Sequence, residues 1–127
     1  QFIGENNTLE GTVKEINNGV ALVQLDGGEL IDCRPVNVSK PGERTRVSIR
    51  PERVEYNKER LAEGVHTLKA EVLEFIYMGD IFRTRLRVAG NEDFVIKTRN
   101  APDQDRLKPG QQIEIGWLPS DCHALDA

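Results

Sequence analysis

The chain has 127 residues, 38% hydrophobic and 30% charged, a balance typical of one compact domain or two very small ones. Its net charge of −4 gives the surface as a whole no attraction for a phosphate backbone, so nucleic acid is disfavoured as a partner. No apolar run reaches the roughly 20 residues of a membrane-spanning helix, and two cysteines, Cys33 and Cys122, predict reduced thiols rather than a disulfide framework.

Short runs in which apolar and polar residues alternate recur along the chain, separated by Gly, Asn, Asp and Pro. This period of two is that of β-strands, and no long amphipathic helix is indicated. The turn-forming residues 17–19 (NNG) and 26–28 (DGG) predict tight hairpins. We predict strands at residues 9–16, 20–25, 29–33, 44–50, 67–77, 81–89, 93–98 and 111–117.

A weak internal repeat divides the chain. Residues 41–51 run from a Pro-Gly pair through a strand to Pro51, and residues 109–119 run in the same way to Pro119. The apolar pattern of residues 9–16 also parallels that of 68–75. We therefore predict an all-β fold of OB-like small barrels, in which closure hides the sheet edges. The expected division is a junction at 1–7, a first β half at 8–56, a linker at 57–66 and a second β half at 67–127.

Two predicted strands carry arginine at alternate positions, which places each set on one sheet face. One interpretation is a surface for an anion or for single-stranded nucleic acid, because small barrels bind along such faces. The alternative is a solvated face with cross-strand pairs to Glu and Asp, which we favour because few aromatic residues lie between the arginines. The two rows are Arg44, Arg46 and Arg50, and Arg83, Arg85 and Arg87.

Motifs that carry chemistry are absent from the sequence. Residues 25–29 (LDGGE) resemble the signature motif of ABC-type ATPases, but they follow a strand and fit a hairpin turn. The sequence has no phosphate-binding loop and no G-x-G-x-x-G motif. Cys122 and His123 adjoin Asp121 but lack the spacing of a metal site or a nucleophile. We predict that the chain is not an enzyme and holds no metal.

Three stretches together resemble a known family: residues 2–11 (FIGENNTLEG), 47–54 (VSIRPERV) and 76–80 (IYMGD). They are similar to the C-terminal transport-associated OB (TOBE) domain of ABC importer ATP-binding subunits. The resemblance is greatest to the spermidine/putrescine branch, with ferric-iron and sugar importers as related alternatives. The element Arg50-Pro51-Glu52 is the most specific part of this resemblance.

The resemblance implies a parent subunit in which an ATPase domain, which binds ATP and Mg²⁺, precedes residues 1–7. It also implies a regulatory or dimer-stabilising role, with a second copy and the transmembrane subunits as partners and a place at the cytoplasmic face of the membrane. The arginine row of the second half and the Arg50-Pro51-Glu52 element are then candidate dimer contacts.

A polyamine substrate would require carboxylates and aromatic faces around an extended cation. Candidate ligand contacts are Tyr77, Asp80, Glu92, Asp93 and Trp117, although nothing in the sequence shows that they converge. A free-standing nucleic-acid or anion-binding barrel remains the alternative function.

Overall fold

The computed structural model describes residues 5–56, 66–100 and 106–126. In this part of the chain the regular elements are strands and two short 3-10 helices, which confirms the predicted all-β class. No helix in the described ranges is long and apolar enough to cross a membrane. The helices are Pro51–Arg53 and Pro119–Asp121, and the strands are β1 (Asn7–Asn17), β2 (Val20–Leu25), β3 (Leu30–Pro35), β4 (Arg44–Ile49), β5 (Leu68–Tyr77), β6 (Ile81–Val88), β7 (Asn91–Arg99), β8 (Gln112–Ile115) and β9 (Cys122–Asp126).

The first half of the chain, together with β9 from the C-terminal end, forms a closed barrel with strand order β1-β2-β3-β9-β4. Alternate side chains such as Leu9, Val13, Val23 and Val47 are buried inside it, each contributing about 1.5–3 kcal/mol by leaving water. A β-bulge after Val13 interrupts the pairing of β1 with β2. Bulges bend a strand and increase its twist, so this one helps β1 to pair with β2 at one end and β4 at the other.

The second half forms an open four-stranded sheet with order β7-β6-β5-β8. Its β5 carries a bulge after Val72, the counterpart of the bulge after Val13. Leu86 and Phe94 fill its core, and Trp117 stacks on Phe94 with ring centroids 6.3 Å apart.

The predicted repeat is visible in the backbone hydrogen bonds. The Val13 N–H donates to the Glu43 carbonyl, and the Gly42 N–H donates to the Val13 carbonyl. Val72 makes the same two bonds with Gln111 and Gly110 in the second half. The two halves therefore share a bulge and the turn that packs against it.

The last strand, β9, was not predicted from the sequence, and it crosses between the halves. It follows the second half in the chain, yet it pairs in parallel with β3 and antiparallel with β4. In the opposite direction, Glu55 follows the first 3-10 helix and bridges to Gly116 of the second half. The two halves are therefore connected by strand pairing in both directions. The predicted linker lies outside the described residues except His66, whose Nδ1 is 2.8 Å from Asp32 Oδ2.

The two cysteines meet where β9 joins β3. Their Sγ atoms are 3.1 Å apart, and both thiols are free and fully buried. The hydrogen bond with Cys33 and burial raise the pKa of Cys122, which keeps the thiol protonated and unreactive at neutral pH. Cys122 therefore acts as a small core residue that anchors the crossing strand.

Candidate interaction surface

The arginines of β4 are mostly neutralised by carboxylates. Arg44 binds Asp26 through two parallel hydrogen bonds of 2.6 and 3.0 Å, and Arg46 reaches Glu10 at 3.4 Å. The bond from Arg44 lowers the pKa of Asp26. Arg50, at the end of the row, is exposed and has no carboxylate partner within the described ranges. Among the described residues, Arg50 is thus the one unpaired cation of the first predicted basic row.

The arginines of β6 are also paired with carboxylates. Arg83 donates to Glu5, Arg85 lies 3.7 Å from Glu74, and Arg87 contacts Glu71 and Glu92. The face is therefore a mixed-charge surface, as the alternative interpretation of the row expected. A strand of paired arginines offers little free charge to a phosphate backbone, which disfavours the nucleic-acid function.

Glu5 forms an ionic clamp on the second half, which we call the Glu5 clamp. Its carboxylate lies 2.6 Å from Arg83 Nη2 on β6 and 2.9 Å from Lys97 Nζ on β7. These hydrogen bonds lower the pKa of Glu5 to about 2. Two residues later, the buried Asn7 amide donates to the Val95 carbonyl and accepts from the Val95 N–H, both at 2.7 Å. The start of β1 is therefore fixed to the outer face and edge of the second sheet.

The Arg50-Pro51-Glu52 element lies at the joint between the halves. Pro51 is buried and begins the first 3-10 helix, which contacts β7 of the second half. Arg53 reaches Asp121 of the other 3-10 helix at 4.0 Å, so equivalent positions of the repeat form the pair. Pro51 is thus committed to the intradomain joint, whereas Arg50 and Glu52 are exposed.

The candidate ligand contacts do not converge on one site. Tyr77 and Asp80 lie at the β5–β6 hairpin, where both are exposed. Glu92 and Asp93 lie at the beginning of β7, at the other end of β6. Trp117 is only 6% exposed because it packs against Phe94, so its ring is not offered to a ligand in this structure.

A groove of about 290 Å³ lies between the halves and was not predicted. Its acidic residues are Glu10 and Asp26, which already bind Arg46 and Arg44. An amine ligand would have to displace these arginines, so the groove is not a free cation site. Its lining comprises Thr8, Leu9, Glu10, Leu25, Asp26, Ala89, Gly90 and Asn91.

The sequence profile of the TOBE domain matches residues 47–125, which include the joint, the second sheet and the crossing strand. The chain belongs to the TOBE domain family.

Nearly the whole of this TOBE domain aligns with ATP-binding proteins of polyamine importers. The spermidine/putrescine import ATP-binding protein PotA of Rubrobacter xylanophilus is 29% identical over 98% of this chain and 32% of that protein. PotA of Chromobacterium violaceum is 31% identical over 91% of this chain and 33% of its own length. PotA of Thermotoga maritima is 28% identical over 98% of this chain and 35% of its own length. The chain thus spans about a third of the length of these relatives.

The fold of this TOBE domain is also that of a solved structure of the cytoplasmic molybdate-binding protein ModG. The TM-score is 0.80 over 95% of this chain and 96% of that one, with 15% sequence identity. At this identity the likeness establishes the fold alone.

Sequence reasoning missed the residues that attach β1 to the second half. Glu5 and Asn7 are distant in sequence from their partners Lys97 and Val95, and a lone amide or carboxylate gives no periodic signal. The only available signal was the presence of polar residues at 5–7 directly before a strand, which also fits an exposed turn.

Proposed function

We propose that this TOBE domain is the C-terminal regulatory and dimer-stabilising domain of an ABC import ATP-binding subunit that drives polyamine uptake. The observation that carries the proposal is the alignment of 98% of the chain with about a third of PotA proteins. The ATPase chemistry, with ATP and Mg²⁺, then belongs to the part of the subunit that precedes the chain. The subunit works at the cytoplasmic face of the membrane through its transmembrane partners.

The geometry supports a role in assembly rather than in catalysis or ligand capture. Most arginines of the two rows are already paired, and the candidate ligand contacts are dispersed. Arg50 and Glu52 are exposed beside a rigid joint, so they can make ion pairs that fix the register of a second copy. Direct polyamine binding by Tyr77, Asp80 and Trp117 is not part of the proposal.

Deletion of the domain from the full-length subunit tests the proposal. We expect ATP-dependent spermidine uptake and the cross-linked dimer population both to fall at least fivefold. An unchanged dimer population would refute the dimer role, and retained ATP binding without any polyamine uptake by the intact transporter would refute the substrate.

A matched pair of substitutions tests whether Arg50 lies in the dimer interface. Arg50→Ala should reduce the cross-linked dimer several-fold, because it removes an exposed cation beside the joint that has no carboxylate partner among the described residues. Arg99→Ala is the control, since Arg99 is also exposed and has no carboxylate partner in the described part of the chain. Equal dimer populations in both variants would exclude Arg50 from the interface.

A further inference from the structure

The two cysteines of the chain form a pair that the proposed function leaves unused. Arg34 of β3 and His123 of β9 are register partners in a parallel pairing, so the residues before them, Cys33 and Cys122, also lie side by side on the two strands. Both thiols belong to the buried core, and their Sγ atoms are 3.1 Å apart although 89 positions separate the two residues in sequence. The crossing strand therefore brings together two sulfur atoms that are distant in the chain.

The backbone at this pair already has the spacing of a disulfide. Neighbouring strands lie about 5 Å apart, within the roughly 4.4–6.8 Å between Cα atoms that a disulfide spans. The two side chains also share the inner face of the barrel, where each is fully buried. The Sγ atoms need to approach by only about 1 Å to reach the S–S bond length of about 2 Å. A bond between them therefore requires a small side-chain rotation and no change in strand pairing.

The intact barrel protects both thiols from oxidants. The hydrogen bond with Cys33 and burial raise the pKa of Cys122, and it is the thiolate that attacks an oxidant. Reaction therefore requires β9 to open. A strand of only five residues can open locally at a lower cost in free energy than unfolding of the whole domain. Opening releases Cys122 to solvent, and reclosing returns it to Cys33.

We propose that Cys33 and Cys122 are a redox modification site, at which a low-molecular-weight disulfide converts the two thiols into one disulfide that locks β9 onto β3. In the opened state, one cysteine loses its proton to solvent, and its thiolate attacks the oxidant. A mixed disulfide forms, and one small thiolate leaves. The other cysteine then loses its proton and attacks the protein sulfur of the mixed disulfide, which forms the Cys33–Cys122 bond and releases the second small thiolate. Two electrons thus pass from the cysteines to the oxidant.

The disulfide acts on the strand that closes the barrel. β9 lies between β3 and β4, so a bond from Cys122 to Cys33 prevents its release from β3. Cross-links between distant positions stabilise a protein mainly by restricting the unfolded chain, and the effect grows with the length of the closed loop. We therefore expect the midpoint of urea unfolding to rise by at least about 1 M. This chemistry depends on the chain described here and not on its proposed role in transport.

Treatment of the whole 127-residue chain with excess oxidised glutathione tests the disulfide. The intact mass should fall by about 2 Da, since two hydrogens are lost and no glutathione remains attached. Peptide mapping should show Cys33 linked to Cys122, and dithiothreitol should restore the original mass and urea midpoint. An unchanged mass, a lasting glutathione adduct or disulfide-linked dimers would each overturn the proposal.

Cys33→Ala is the matched variant, because it keeps Cys122 and removes only its partner. This substitution leaves a small cavity, so the variant is compared with itself before and after the oxidant. Its urea midpoint should not rise, and a rise equal to that of the parent would contradict a Cys33–Cys122 bond. Hydrogen exchange then measures the lock directly. The Ala124 amide in β9 should exchange at least tenfold more slowly in the oxidised parent than in the reduced parent, and equal rates would refute the locking of β9.

Discussion

The two halves of the molecule share a bulged strand and the turn that packs against it, but only the first half closes into a barrel. In the first half, β9 fills the gap between β3 and β4, and the barrel closes. In the second half, the described residues supply only the Glu55–Gly116 bridge at the corresponding place just after β8, and the sheet remains open. At the edge of β7, the two backbone groups of Val95 are satisfied by the Asn7 side chain instead of a strand.

The difference also shows in the buried hydroxyl groups. Thr45 in the first half donates to the Leu125 carbonyl of β9 at 2.7 Å. Thr84 in the second half is fully buried, and its hydroxyl has no partner among the described residues. The crossing strand thus supplies hydrogen-bond partners for a buried hydroxyl as well as for the backbone of the barrel strands. It also makes each half depend on the other.

Disrupting β9, the crossing strand, should cause the largest loss of stability. Ala124 is fully buried in β9, so Ala124→Asp places an unpaired charge in the barrel and should cost about 4 kcal/mol of unfolding free energy. Urea denaturation measures the loss, and hydrogen exchange should show it first in β3 and β4. Leu125→Asp on the outward side of the same strand is the control, with a cost below about 1 kcal/mol. Similar losses in both variants would contradict the closed barrel.

Removing the Asn7 side chain, which binds the backbone of the edge strand β7, should cause the next largest loss of stability. Asn7→Ala leaves the N–H and carbonyl groups of Val95 without partners and should cost about 3 kcal/mol. The Val95 amide should also exchange with solvent much faster. Asn37→Ala removes an exposed amide that binds Asp126, so its cost should stay near 0.5 kcal/mol. Unchanged exchange at Val95 would show that Asn7 does not protect this edge.

A smaller effect should reveal how closely the barrel strands approach. A Cβ at Gly11 would lie 2.6 Å from the Gln24 carbonyl oxygen, whereas the equivalent position of the open sheet holds Ala70. Gly11→Ala should therefore cost about 2 kcal/mol, because backbone rather than a flexible side chain must move. Calorimetry of this variant and of Ala70→Gly, which should cost about 1 kcal/mol, checks the comparison. A neutral Gly11→Ala would mean that both halves tolerate a side chain here.

Much of each half was predictable from sequence, because alternation and turn residues are local signals. The strand from 20 to 25 was predicted at its observed bounds, and the repeat around Pro51 and Pro119 corresponds to two 3-10 helices. The pairing of β9 with the first half could not be predicted, because either half offers the same edge to a five-residue strand. The Glu5 clamp and the Asn7 cap depend on side-chain contacts between residues about 80 to 90 positions apart.

The smallest predicted loss of stability tests whether the Glu5 clamp acts through its charge. Arg83 and Lys97 lower the pKa of Glu5 from its usual 4.5 to about 2 in the folded state. A carboxyl with a lowered folded pKa stabilises the protein above pH 4.5, and this contribution disappears as the pH falls from 4.5 toward 2. Because the pair is partly exposed and screened by solvent, Glu5→Gln should cost only about 1 kcal/mol at pH 7. Urea unfolding should show the difference from the parent chain closing near pH 2, whereas Glu15→Gln, at an exposed position without an ion pair in the described residues, should show little difference at any pH. A difference that persists at low pH would show that Glu5 stabilises the protein through hydrogen bonding or packing rather than through its charge.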